Sequence, residues 1–442
     1  MRMNARFLPT DDDLRFELHN EVHARPSARV RLPALITYVA VLNEGISREI
    51  ERHHLSTLPG QDGVTAEQTK GHFLRLRCAD FTVKWERHTE FTRYSIVQAL
   101  PANATSVNDL PAMAQQVATG TTWLREIPGR TVVAIQLAML TENISNTALI
   151  EKAQQWLGDG TIIGSRMGNL NEHQSHSMLL TNLRIGTDGF ERMLVMAPPD
   201  TPDGRAGRIS QRVLELETYR LMALRGLPIA KQLSSALAQA ENRLAEITVR
   251  LESKRENDQS LLDDLVALAA HVERATAEHG YRFSATRAYN AIVQERIAEL
   301  RERPIAGTQT VGEFMQRRLA PAMATVAATS QRMAALAERI TRTSALLRTR
   351  VDIAAEIHNQ ELLEKLTRGQ DLQLQLQSTV EGLSIAAISY YVVSLVLYFG
   401  KALKAAGLPI HPEIMAGLLT PVVLWLVWKT VQRIHARLNT AH

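Results

Sequence analysis

One cysteine, Cys78, is all that 442 residues contain. That excludes a disulfide framework and a cysteine-rich metal site, and it suits a reducing compartment. Charge of one sign is also lacking: 50 Lys and Arg stand against 46 Asp and Glu, for a formal net charge of +4. A general nucleic-acid binder needs a strongly basic face, so nucleic acid is not an expected partner. No apolar core lies between the basic start of the chain and Asp11, Asp12 and Asp13, so the N-terminus does not read as a signal peptide. With 22% charged residues, a transporter of a dozen spans is ruled out.

Catalytic signatures are absent as well. Neither a Gly-x4-Gly-Lys-Ser/Thr loop nor a Gly-x-Gly-x-x-Gly turn occurs. In the stretch Thr161–Asn169, Gly164 directly precedes Ser165 and Gly168 follows, whereas a nucleophile elbow requires Gly-x-Ser-x-Gly. No Ser/His/Asp or Cys/His arrangement has local support. The chain is therefore expected not to be an enzyme, and to need no cofactor or metal. His19 and His23 would share a helix face with Glu21 nearby, but a zinc protease carries its Glu next to the first His. A structural role is expected there, with Arg25 and Pro26 closing the helix. His53, His54, His173 and His176 read as exposed loop or helix histidines.

Long apolar runs are missing until the last sixty residues, which hold two of them: Leu383–Phe399 and Ile414–Val431. Each is about the length that crosses a bilayer core of roughly 30 Å at 1.5 Å per helical residue. Residues 400–413 between them are too few for a domain, so a transmembrane hairpin is expected, followed by a tail over 432–442. Trp425, Trp428 and Lys429 resemble an interfacial belt, and Tyr398 suits the far end of the first span. Lys365 and Arg368 precede the hairpin; Lys429, Arg433 and Arg437 follow it. The positive-inside rule then favours both termini in the cytoplasm, at a bacterial inner membrane. Lys401 and Lys404 would lie in the external loop.

Residues 1–200 read as an α+β cytoplasmic domain. Strands are expected at Ala34–Leu42, His72–Cys78, Phe81–Arg87, Phe91–Ala99, Thr131–Leu140, Thr161–Met167, Ser177–Ile185 and Glu191–Ala197, from their Val, Ile, Phe, Tyr and Thr content. The second to fourth alternate in polarity, which predicts an antiparallel meander with one wet face. Thr131–Leu140 is almost wholly apolar and predicts a central strand. Helices are expected near Leu14–His23, Ile46–Leu58, Val107–Glu126 and Asn143–Trp156. The Pro/Asp/Gly cluster of residues 197–204 marks a boundary. A helical stalk is expected over 205–382: Ile209–Arg225, Leu227–Glu256, Gln259–Glu278 and Ser284–Arg303, then one very long helix from about 313. Run on through the first span, it would be on the order of 130 Å long. Its apolar residues, among them Met333, Leu336, Ile340, Leu346, Ile353, Ile357 and Leu363, recur by threes and fours, as a packed or coiled-coil stalk requires.

Leu18-His19-Asn20-Glu21-Val22-His23-Ala24-Arg25-Pro26 resembles the N-terminal signature of a bacterial membrane-anchored family, the domain-of-unknown-function family 3422. Glu217–Leu224 (ETYRLMAL) and Gln375–Ser384 with Ile388-Ser389-Tyr390-Tyr391 resemble it too. The resemblance implies no activity. The architecture, an α/β domain, a stalk whose long helix enters the bilayer, and a two-span hairpin, is similar to that of the CorA family of divalent-cation channels. That resemblance implies a homo-oligomer, a pentamer, whose first span lines the pore. The Gly-Met-Asn tripeptide ending the first span in that family is absent; Tyr398-Phe399-Gly400-Lys401-Ala402 stands in its place, so Mg²⁺ selectivity does not follow.

If the first span lines a pore, Gln377, Glu381, Ser384, Ile388, Tyr391, Leu395 and Tyr398 share one face by steps of three and four. Ser378, Gly382, Ala386, Ser389, Val393 and Gly400 form a second stripe of small residues. Either could face the axis, or the small residues could serve helix packing alone. Copies of Glu381 would ring the cytoplasmic mouth, and copies of Lys401 and Lys404 the other end. The expected function is an ion channel or transporter of unknown ion, embedded in lipid; the alternative is a membrane-anchored scaffold or sensor whose hairpin only tethers.

Overall fold

The computed structural model describes residues 11–439, apart from 17, 20–28, 62, 102–106, 142–145, 169–175, 254–256 and 408–410. It consists of an N-terminal α/β sheet domain, long helices, and two apolar C-terminal helices. Compact packing divides the chain into Met1–Arg342 and Thr343–His442.

In the first unit, β1 (Ala34–Leu42), β2 (Phe73–Arg77), β3 (Phe81–Arg87), β4 (Phe91–Ala99), β5 (Arg130–Leu140), β6 (Ile163–Met167), β7 (Ser177–Ile185), β8 (Glu191–Met196) and β9 (Glu302–Pro304) form one sheet. Its order is β2-β3-β4-β1-β5-β8-β7-β6-β9, with the apolar β5 at the centre as expected. β5 pairs with β8 in parallel, and β2, β3, β4 and β1 run antiparallel in succession. The nine residues of β1 are all buried because both faces of the sheet are covered. Ala34, Ile36, Tyr38, Ala40 and Leu42 point to one layer and Leu35, Val39 and Val41 to the other, the period of two that a strand imposes.

Helices supply those layers. α1 (Arg48–Ser56), α2 (Leu110–Ala114), α3 (Thr121–Arg125) and α4 (Asn146–Leu157) bring Leu55, Leu110, Trp123 and Trp156 to one face. α5 (Asp203–Leu224), α7 (Asp258–Leu300) and the start of α8 (Val311–Ala405) bring Val213, Leu216, Val293 and Met315 to the other. α6 (Gly226–Ser253) precedes α7. In the second unit α8 continues and is followed by α9 (Pro412–Asn439).

Three differences from the sequence reading have local causes. The helix expected over Val107–Glu126 is broken into a 3₁₀ turn at Val107–Asp109, α2 and α3. Gly120 ahead of α3 sits at φ 80°, a left-handed conformation that glycine adopts without steric cost and that turns the chain. The two helices expected over Gln259–Arg303 are one, α7; the penalty of Gly280 inside a helix, about 1 kcal/mol, is outweighed by flanking buried residues such as Phe283 and Thr286. β9, too short to show a period, closes the sheet edge beside β6.

β9 also seats the start of α8. The Val311 amide donates to Ser165 Oγ at 3.0 Å, Ser165 Oγ donates to Glu302 Oε2 at 2.8 Å, and the Gly312 amide donates to Glu302 Oε1 at 2.7 Å. A Cβ on Gly312 would lie 3.0 Å from the Ile297 Cγ2, so a bare backbone is needed for this approach. Ser165, flanked by Gly164 and Gly168, thus has a structural role at 0% exposure.

Candidate functional site

The polar face of the meander is not wet. β3 alternates so that Val83 and Trp85 join the apolar layer under α1 and α3, which turns Lys84 and Glu86 to the opposite face. On β4, Arg93 and Ser95 lie directly across from Glu86 and Lys84. α5 covers all four: Lys84, Glu86 and Arg93 are 5%, 1% and 3% exposed. Alternation marked the face as polar; the helix, more than a hundred residues later, removes it from water.

α5 answers with residues at helical spacing. Gly207, Ser210, Gln211 and Leu214 line a cavity of about 140 Å³ together with Tyr38, Thr82, Lys84, Glu86, Arg93 and Ser95. Arg29, Arg75 and Arg77 line it as well; Arg29 and Arg77 are exposed and Arg75 half-buried. Glu215, one turn beyond Gln211, completes the charge pairing. Arg93 Nε lies 2.5 Å from Glu86 Oε2, and Arg93 Nη1 and Nη2 each donate to Glu215 Oε1 at 3.1 Å. Lys84 Nζ lies 3.1 Å from Glu86 Oε1. Glu215 further accepts from Gln211 Nε2 at 2.8 Å and from Arg296 Nε at 2.9 Å. Arg296 reaches Glu299 at 2.7 Å, and Glu299 accepts from Arg212 Nε at 3.1 Å.

Burial alone would raise the Glu86 carboxyl, but Arg93 and Lys84 beside it outweigh that effect and hold it at about 2. Burial lowers the Lys84 ammonium, and Glu86 opposes the shift only in part. Arg93 is desolvated too, yet Glu86, Tyr38 and Glu215 push it above its ordinary value. The Tyr38 hydroxyl, raised by burial, bonds Thr218 Oγ1 at 2.7 Å on the same helix.

A second buried carboxylate site lies farther along α5. Glu217 is gripped by Arg220 through Nε at 2.7 Å and through a second, shorter bond from Nη2. Burial, followed by the charge of Glu217, raises the carboxyl of Glu191, the first residue of β8, well above the usual range. Beside Arg220 a hollow of about 430 Å³ is lined also by Arg184, Arg318 and Asn182. Neither site was found from the sequence; among the described residues no group of three or more His, Cys, Asp and Glu gathers as a metal site.

The histidines fall as follows. His19 is exposed, while Glu21, His23, Arg25, Pro26 and His173 lie outside the described residues. His53 is exposed and His176 half-buried. His54 corrects the reading as a solvated histidine: it is 6% exposed and stacks on Trp123 at 4.3 Å between ring centroids. α1 turns it inward, and burial with the His53 charge lowers it to about 4.

In the second unit, two stretches are long and apolar enough to cross a membrane, one at the end of α8 and one in α9, and little of either is buried. They meet through small residues: Ser389 is 4% exposed, and Gly400 abuts α9 so closely that a Cβ would lie 2.8 Å from Met415 Cε and 3.3 Å from Pro412 Cα. Val393 is half-buried on the same side, whereas Ser378, Gly382 and Ala386 remain exposed. The other stripe is left uncovered, roughly a third of a turn away at about 100° per residue. Ile388, Tyr391, Leu395 and Tyr398 are 46–69% exposed, Gln377 and Ser384 are exposed, and Glu381 is half-buried. Gln377 Nε2 donates to Glu381 Oε1 at 3.3 Å, and Ser384 Oγ to the Val380 carbonyl at 2.8 Å. Lys401 and Lys404 are exposed, with Lys401 Nζ 5.8 Å from the Tyr398 ring centroid. Lys429 Nζ sits 4.4 Å from that of Trp425.

A family described as "Protein of unknown function (DUF3422)" matches residues 10–438. The chain belongs to that family. The resemblance drawn from the segments at 18–26, 217–224, 375–384 and 388–391 is thereby confirmed. In this DUF3422 chain the segment Glu217–Leu224 supplies the buried Glu217–Arg220 pair. No curated protein and no solved structure matches the chain, so the likeness to CorA channels rests on architecture alone.

Proposed function

We propose that this protein is a homo-oligomeric membrane protein whose α8 helices gather around an ion pathway, with α8 and α9 crossing the bilayer as a hairpin. The observation that carries this reading is the uncovered surface of α8. Before the apolar stretch, Leu346, Ile353, Ile357, Leu363 and Leu366 are 53–65% exposed. A run of bare Leu and Ile on one helix marks a surface for other helices. Within the stretch, the later part of the small-residue side, at Ser389 and Gly400, is buried and Gly400 lies against α9, which favours Gln377, Glu381, Ser384, Ile388, Tyr391, Leu395 and Tyr398 for an axis. A ring of Glu381 would concentrate cations at the entrance. The basic residues flanking the hairpin favour termini in the cytoplasm and the inner membrane of a bacterium. The pentamer belongs to the CorA likeness and is part of the same proposal.

The test is ion flux through the full chain reconstituted in lipid vesicles, with Glu381→Ala in parallel and the copy number measured by light scattering in detergent. Flux that falls in Glu381→Ala supports the pathway. A single copy per particle, or no flux of any monovalent or divalent cation or small anion, ends it.

The cavity under α5 favours a second reading, a membrane-anchored sensor whose hairpin only tethers. That reading expects oligomers or monomers that pass no ions.

A further inference from the structure

We propose that the cavity between the meander and α5 is a binding site for a small oxyanion, a phosphate or carboxylate group. Lys84, Arg93, Ser95 and Ser210 would hold it, and Arg29 and Arg77 would gather it. All the lining residues belong to the first unit, and the site does not depend on whether the hairpin conducts.

Charge balance comes first. The buried cations Lys84 and Arg93 are matched by Glu86 and Glu215. The cavity lining as a whole, however, sets Lys84, Arg93, Arg29, Arg75 and Arg77 against one carboxylate, Glu86. Lys84 is the member with room: an ammonium carries three donors, and Glu86 accepts from it on one side while the cavity opens on the other. The remaining polar lining includes Thr82, Ser95, Gln211 and Ser210, whose hydroxyl donates to the Gly207 carbonyl at 2.9 Å, with Arg29 and Arg77 at the rim. A cationic solute would meet repulsion from this excess of cations, whereas an oxyanion is attracted and accepts several bonds.

Size comes second. A protein cavity of about 150 Å³ accommodates a molecule as large as benzene. The 140 Å³ here thus suits an occupant of about that number of heavy atoms, which describes a phosphate or a short carboxylate and excludes a nucleotide lying wholly within.

The rim gives the approach. Arg29 and Arg77 are exposed, and cations at a cleft mouth raise the local concentration of anions. Guanidinium groups also suit the two-oxygen edge of either group.

The experiment uses the full chain in non-ionic detergent, titrated calorimetrically with inorganic phosphate and separately with acetate, at ionic strength held constant with chloride. One saturable site per chain is expected. Arg77→Ala, at an exposed position, should weaken it about ten-fold, or 1.4 kcal/mol. Lys84→Met should abolish it. Because Lys84 is deep in the fold, Ser210→Ala serves beside it and should also weaken binding, with tryptophan emission showing that each variant is folded. Arg318→Ala, on the separate hollow near Arg220, should leave affinity unchanged. Acetate binding in place of phosphate identifies a carboxylate as the occupant and supports the site. Failure of both anions to saturate overturns the inference, as does a loss in Arg318→Ala equal to that in Arg77→Ala. The flux assay does not read this cavity, so either proposal can fail without the other.

Discussion

Glu86→Gln removes the one carboxylate that both Lys84 and Arg93 touch. In the folded chain the Glu86 carboxyl sits at about 2 instead of 4.5, which corresponds to roughly 3 kcal/mol of preference for the ionised form. Breaking a buried ion pair from one side gives a similar figure, about 3–5 kcal/mol, because the partner charge stays behind. The variant should therefore be less stable than the native chain by roughly 3 kcal/mol at pH 7. The folded value is depressed, so this contribution is present in full above the ordinary carboxyl range. It drains away as pH falls toward about 2. The deficit of Glu86→Gln should accordingly be flat from pH 7 to about 5 and shrink between pH 5 and 3. Denaturant titrations of both proteins in detergent, followed by the emission of the buried Trp85, measure it across that range. A deficit that stays constant down to pH 3, or one below about 1 kcal/mol at pH 7, would refute the account of this layer as a tightly coupled ionic one.

Three further outcomes are expected. Glu191 is raised in the folded state, so its protonated form stabilises the fold fully below the ordinary carboxyl range and that benefit is lost as pH rises through its folded value. Glu191→Gln should be more stable than the native chain above that range, with a gap that widens by about 1.4 kcal/mol per pH unit until Glu191 ionises; a gap independent of pH would count against the raised Glu191 carboxyl. His54 is depressed to about 4, so native stability should fall as pH drops from about 6.5 toward 4. His54→Phe, which keeps the stack on Trp123, should flatten that part of the midpoint-against-pH curve, and an unchanged slope would contradict it. Gly400→Val forces a side chain against Met415 and Pro412, at a cost of about 1–3 kcal/mol. Gly382→Val has nothing within 4 Å and should leave the thermal midpoint in detergent near the native one; equal shifts for the two would mean the hairpin does not pack through Gly400.

The strands were legible because their composition and their bounding turns agree. Ala34–Leu42, Phe81–Arg87, Phe91–Ala99 and Ser177–Ile185 begin and end where the residues say. The cavity was not legible, since Arg93 and Glu215 are 122 positions apart and nothing near either hints at the other. Lys84, Glu86 and Arg93 look like the solvated side of a strand until a covering helix is known. His54 shows the same limit in a short helix. In the hairpin both stripes obey the same spacing, so the sequence could not choose between them. Gly400 against Met415 is what assigns the small one to packing.

The two borders of the sheet share a property. β2 is five residues long and carries Arg75 and Arg77; β9 is three residues long and ends in Pro304, which has no amide hydrogen to offer. Short, cationic or proline-tipped margins are poor templates for another strand. Aggregation by adding one molecule's sheet to the next is thereby discouraged at both sides. Contacts with other molecules are steered away from the strand edges, so that they need not disturb any β ladder.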